Sequence, residues 1–126
     1  MTTCLLFDEM PVIRKVAERL LERMGYTTTV FESIGAFNAH LGEHGAPDLV
    51  ILSATGGGVG VPEAVRSVRF RSPHTVIVVS LVDRNIGTLM RLRRAGANGI
   101  LMKPFDADGF KGTLEVHLSA AKLTAA

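Results

Sequence analysis

Short apolar runs alternate along the chain with longer stretches whose apolar residues recur three and four positions apart. The runs predict strands over Thr3 to Phe7, Thr27 to Phe31, Leu49 to Leu52, Thr75 to Val79 and Gly99 to Met102. Two of them, Leu49-Val50-Ile51-Leu52 and Val76-Ile77-Val78-Val79, have no polar member, so both faces of each must be covered. The longer stretches predict helices. Val12, Ile13, Val16, Leu20, Leu21 and Met24 form one helical stripe that stops at Gly25, a residue suited to the turn that ends a helix. Similar segments run from Ser33 to His44, Pro62 to Arg71, Arg84 to Ala95 and Asp106 to Lys122, with Asp106 placed to cap the last. Pro47, Pro73 and Gly96 punctuate the joins. Five strand–helix units in succession predict an α/β fold, a doubly wound parallel five-stranded sheet with helices on both faces.

Composition narrows the class. With 126 residues, 47% of them hydrophobic and a formal net charge of +2, the chain reads as one globular domain able to bury its own core. Disorder does not suit so apolar a composition. No apolar run approaches the roughly 20 residues that a bilayer span needs, so no membrane insertion is expected. The opening Cys4-Leu5-Leu6-Phe7 is cut off by Asp8-Glu9, too early for a signal peptide. A lone cysteine, Cys4, forms no intrachain disulfide and reads as a buried strand residue. The expectation is a cytoplasmic protein with its domain at residues 1–122, a short tail at 123–126, and no output domain.

Charge is unevenly spread. Arg66, Arg69, Arg71, Arg84, Arg91, Arg93 and Arg94 lie between Pro62 and Ala97, opposed only by Glu63 and Asp83, which leaves that segment at +5. Such a sector attracts anionic partners, although each single arginine reads equally well as part of a solvated helix face. With 6% aromatic residues and a formal charge of +2, the chain carries no element suited to reading a DNA groove.

In open parallel sheets, ligands gather at the carboxyl ends of the strands. The residues predicted there are Asp8 and Glu9 after the first strand, Ser53 after the third, Ser80 after the fourth and Lys103-Pro104 after the fifth. Two acids, two hydroxyls and a lysine therefore converge on one edge. His40 and His44 have the helical spacing of a zinc pair but lack a clear third ligand, and they read as exposed, solvated histidines. His74 and His117 have no recognisable partners in the sequence.

The segment Phe7-Asp8-Glu9-Met10-Pro11-Val12-Ile13-Arg14-Lys15-Val16 resembles the acidic turn and first helix of receiver domains of bacterial response regulators. Pro47 to Leu52 is similar to their third strand, Val76 to Ser80 to their fourth, and Gly96 to Phe105 to their fifth strand with its lysine–proline turn. The resemblance spans essentially the whole chain and implies a flavodoxin-like (βα)5 fold with strand order 2-1-3-4-5. It is nearest to the stand-alone, chemotaxis-regulator-like receivers, which are signalling modules rather than enzymes. In such receivers an aspartate ending the third strand takes a phosphoryl group from a histidine kinase, and magnesium assists.

This sequence departs from that pattern. Ser53 stands at the acceptor position, and a neutral hydroxyl is neither the ready nucleophile nor the metal ligand that a carboxylate is. Asp8 and Glu9 would hold magnesium weakly at best, so no resident cofactor is expected. Lys103 is expected to pair with Asp8 or Glu9 in place of the missing metal charge. Ser80 fits the family's switch hydroxyl, but Ile100 replaces its aromatic partner and reads as a core or near-core residue. The loop Ala54 to Pro62 holds Gly56-Gly57-Gly58; it lacks the Lys-Ser or Lys-Thr of a phosphate-binding loop and reads as a flexible turn. By resemblance the Lys103–Pro104 bond is a candidate cis peptide.

The leading expectation is a phosphorylation-independent receiver, a pseudo-receiver acting through a protein partner such as a histidine kinase, a motor component or another regulator. Its contact surface would include Arg84, Met90, Arg91, Arg94, Ile100 and Phe105. One alternative is a sensor that binds an anionic second messenger such as cyclic di-GMP through Arg84, Arg91, Arg93 and Arg94. Another is an atypical phospho-receiver that uses Ser53 or Asp8.

Overall fold

A computed structural model of the protein describes residues 2–55 and 59–125, so the glycine run at 56–58 and the turn expected there lie outside the described residues. Strands and helices alternate as β1 (Thr3–Phe7), α1 (Pro11–Arg23), β2 (Thr27–Phe31), α2 (Ile34–His44), β3 (Leu49–Ser53), α3 (Val61–Arg71), β4 (Val76–Leu81), α4 (Ile86–Ala95), β5 (Gly99–Met102) and α5 (Ala107–Ala125). The sheet is parallel throughout, with the order β2-β1-β3-β4-β5. No helix among the described residues is long and apolar enough to cross a membrane.

The two uninterrupted apolar strands lie at the centre, as burial on both faces requires. Successive side chains point to opposite faces of a strand. Val50, Leu52, Ile77 and Val79 accordingly pack with Phe37, Val65, Val68 and Leu92 from α2, α3 and α4. Leu49, Ile51, Val76 and Val78 pack on the other face with Ala17 and Leu21 of α1 and Phe110 and Leu114 of α5. Cys4 is buried within this second cluster, and burial pushes its thiol well above its ordinary range.

Element ends follow local capping. Asn85 Oδ1 accepts a hydrogen bond from Thr88 N at 3.0 Å, so α4 begins at Ile86 rather than at Arg84. Asp106 Oδ1 accepts one from Gly109 N at 2.7 Å, and α5 starts just beyond it. That helix passes the expected end at Lys122 and continues to Ala125, so the segment read as a tail is helical that far.

One of the seven arginines is no part of a solvated face. Arg69 Nε and Nη2 donate to Gly96 O at 3.2 and 2.7 Å, and Nη2 also to Asn98 Oδ1 at 2.7 Å. Its Nη1 donates to the carbonyls of Ser72, Pro73 and Thr75 at 3.3, 2.9 and 2.8 Å. One planar fork thus ties the end of α3, the entry to β4 and the turn from α4 to β5. Gly96, with φ +119°, admits this approach, because a Cβ there would lie 2.9 Å from Arg69 Cγ.

Replacing Arg69 by Ala removes charge-assisted hydrogen bonds worth about 1.5–3 kcal/mol. Urea unfolding is expected to show a loss of that order. Arg69→Lys should recover little of it, because an ammonium cannot reproduce the fork. An unchanged midpoint for Arg69→Ala would contradict the tether.

Candidate functional site

Parallel pairing sets the candidate residues side by side. Phe7 is in register with Leu52, Ser53 with Ser80, and Leu81 with Met102, so Asp8, Ser53, Ser80 and Lys103 meet at one end of the sheet. The Lys103–Pro104 peptide is cis. Lys103 N donates to Leu81 O at 2.7 Å, which fixes the backbone from which the long side chain starts.

The lysine is the hub of the site. Its Nζ lies 2.7 Å from Asp8 Oδ2, with side-chain exposures of 7% for Lys103 and 2% for Asp8. It also donates to Ser53 Oγ at 2.8 Å and to Thr55 Oγ1 at 3.2 Å. An ammonium has three N–H bonds, and these three acceptors match them. Asp8 Oδ1 accepts from Met10 N at 2.9 Å, so both oxygens of this buried carboxylate are held. Arg14 Nη1 donates to the Asp8 carbonyl at 2.8 Å, fastening α1 to the same turn.

Glu9 sits more openly and closes the network. Ser53 Oγ donates to Glu9 Oε1 at 3.2 Å and lies 3.0 Å from Thr55 Oγ1. Partial burial alone would raise the Glu9 pKa. Hydrogen bonds from its own backbone and from Ser53, with the attraction of Lys103 and a bond to Thr55, outweigh it and hold the carboxyl below its usual range. A carboxylate held in that range is a poor base toward a serine hydroxyl.

The remaining site residues divide. Ser80 is buried beside Ser53, and its carbonyl accepts from Ala54 N at 2.9 Å; the side-chain bonds of Lys103 run instead to Asp8, Ser53 and Thr55. Thr55 was not singled out from the sequence, although a hydroxyl two residues past a strand end was a signal for it. Ile100 is half-buried against the core face that holds α3 and α4. Phe105 does not share a surface with it: Phe105 packs on Phe110, ring centroids 5.0 Å apart, on the opposite face of the sheet.

The arginines do not converge either. Arg91 lines a groove between α3 and α4 together with Arg66. Arg93 lines a separate groove beside β5 with Leu89, Ile100 and His117. His117 lies over Gly99, where an added Cβ would collide with its ring. Arg84 is exposed ahead of the Asn85 cap, and Arg94 is exposed on α4. Of the two spaced histidines, His40 is half-buried rather than solvated, with its ring centroid 5.1 Å from that of Phe31. His44 is exposed beside Glu43 at 3.7 Å. No group of three or more His, Cys, Asp or Glu able to hold a metal ion occurs among the described residues.

Residues 4–115 match the response regulator receiver domain family. The chain is 24% identical over 113 residues to the chemotaxis protein CheY of Pseudomonas aeruginosa, covering 88% of this chain and 91% of that one. Among solved structures it is similar to a CheY-like receiver domain protein of Methanospirillum hungatei, with TM-score 0.84, 16% identity and 98% of each chain covered. It is also similar to Vibrio cholerae chemotaxis protein CheY4, with TM-score 0.82, 22% identity and coverage of 93% of this chain and 98% of that one.

Breaking the central pair from one side exposes its energetic role. Lys103→Met leaves the Asp8 carboxylate buried without its cation, which typically costs about 3–5 kcal/mol. Urea unfolding at neutral pH is expected to show that loss, and Asp8→Asn in the same chain should recover much of it. A Lys103→Met variant as stable as the parent would contradict the buried pair.

Proposed function

The chain belongs to the response regulator receiver family, and from that premise we propose that it is a phosphorylation-independent member that signals through protein–protein contact. The observation that carries this reading is the Lys103 ammonium, bound at once to Asp8 Oδ2 and Ser53 Oγ. In the receivers that this sequence resembles, the position of Ser53 holds the aspartate that accepts the phosphoryl group. Here that position offers a hydroxyl already shared among Lys103, Glu9 and Thr55.

The donor set argues against magnesium for the same reason. A divalent cation of this kind needs charged oxygen ligands while it keeps several waters. Asp8 spends both oxygens, one on Met10 N and one on Lys103, and Ser53 brings no charge. Glu9 is the remaining carboxylate of the Lys103 network, and it has no ion pair among the described residues. An internal cation therefore supplies the charge that a metal would bring.

Partner contact is the output open to a receiver with no phosphoryl cycle. The cyclic di-GMP alternative draws less support, because Arg91 and Arg93 line different grooves and form no single clamp. The atypical phospho-receiver draws less support too, because the Ser53 hydroxyl is engaged by Lys103 and Glu9, and the Asp8 carboxylate by Lys103 and Met10 N.

Incubation with acetyl phosphate and magnesium tests this reading by intact-protein mass spectrometry. The expected result is an unchanged mass. A gain of one phosphoryl group that disappears in Ser53→Ala would overturn it.

A further inference from the structure

The inner side of α3 is buried through Val61, Ala64, Val65 and Val68, which leaves Arg66 and Phe70, one turn apart, on its outer side. Phe70 is 94% exposed, the highest value among the exposed large apolar side chains described. On α4, Leu92 and Ala95 are buried while Arg91 and Arg94, three positions apart, are exposed. Arg66 and Arg91 line one groove of about 350 Å³ between the two helices, with Thr88 and the exposed Val59. Glu63 is the one acid lining it. Among the described residues, no arginine forms an ion pair with a carboxylate.

We propose that this α3–α4 face docks an acidic protein segment carrying an apolar side chain. The inference rests on the partner-contact reading and deepens it by naming the surface and the chemistry of the partner. A phenylalanine held in water one turn from Arg66, which itself shares a groove with Arg91, has the make-up of an interface centre, where aromatic and arginine side chains carry most of the energy. Charge complementarity then selects the occupant: aspartates and glutamates meet Arg66, Arg91 and Arg94 while an apolar residue covers Phe70. A nucleic acid fits less well, because the face offers one stacking ring and places Glu63 in the groove.

The test is selection of a random-peptide display library against the full chain. Recovered peptides are expected to be enriched in Asp and Glu around an apolar residue and to weaken as salt is added. A synthetic copy should bind Arg66→Ala/Phe70→Ala about tenfold or more weakly than the parent, with the thermal transition unchanged. Arg93→Ala, on the neighbouring groove, should bind as the parent does. Failure to recover any peptide, recovery without acidic enrichment, or indifference to the double variant overturns the inference. Sensitivity to Arg93→Ala alone moves docking to the β5 groove, which overturns this surface and leaves the partner-contact reading standing. Cyclic di-GMP, titrated in parallel, overturns it as well if it binds through Arg66 and Arg91 and no acidic peptide is recovered. Phosphorylation at Ser53 is read in a separate assay, at the strand ends, so failure of the underlying reading shows itself independently.

Discussion

A lysine ammonium buried against an aspartate joins the first and last strands of this fold at the edge where its chemistry would reside. Lys103 and Asp8 are almost fully removed from water, 2.7 Å apart. Removing two charges from water costs several kcal/mol per ion and is repaid only where the remaining lone pairs and protons are also satisfied. Met10 N, Ser53 Oγ and Thr55 Oγ1 satisfy them here. The positions of Asp8, Ser53 and the β5–α5 turn therefore hold one another in place. A fully satisfied polar network of this kind stiffens the turns that carry it.

The sheet supplies the rigid base. Alternating side chains of β3 and β4 fill two separate cores, so Ser53 and Ser80 emerge in register from strands that cannot slip without inverting both faces. At the other side of the α3 core, Arg69 binds five backbone carbonyl contacts and an amide oxygen without any carboxylate. An arginine used in this way is lost to partner binding. The basic sector is consequently smaller and more divided than its sequence suggests: Arg66 and Arg91 face one groove, Arg93 another.

The two-sided core was legible because apolar period and element alternation dictate it, whereas the strand order followed from the resemblance to receiver domains. The convergence of Asp8, Ser53 and Lys103 was legible because parallel strands bring their ends together. Which acid receives the lysine was not, since Asp8 and Glu9 are adjacent and only the geometry of the turn selects Asp8. Arg69 was illegible for a different reason. Most of its partners are backbone carbonyls, up to 27 positions away, and carbonyls leave no mark in a sequence. Phe105 misled because a residue following a strand can turn to either face, and the Phe110 ring drew it away from Ile100. His40 read as solvated, although the ring of Phe31 on the neighbouring β2 covers it.

The central claim is that an internal ammonium fills the place where a divalent cation would otherwise be held. A magnesium titration followed through the backbone amide resonances of Asp8, Glu9, Met10, Ser53 and Lys103 tests it most directly. The account predicts no saturable shift at these positions through the millimolar range, with any change shared by other exposed acids. A saturable, localised shift at Asp8 and Ser53 would contradict it.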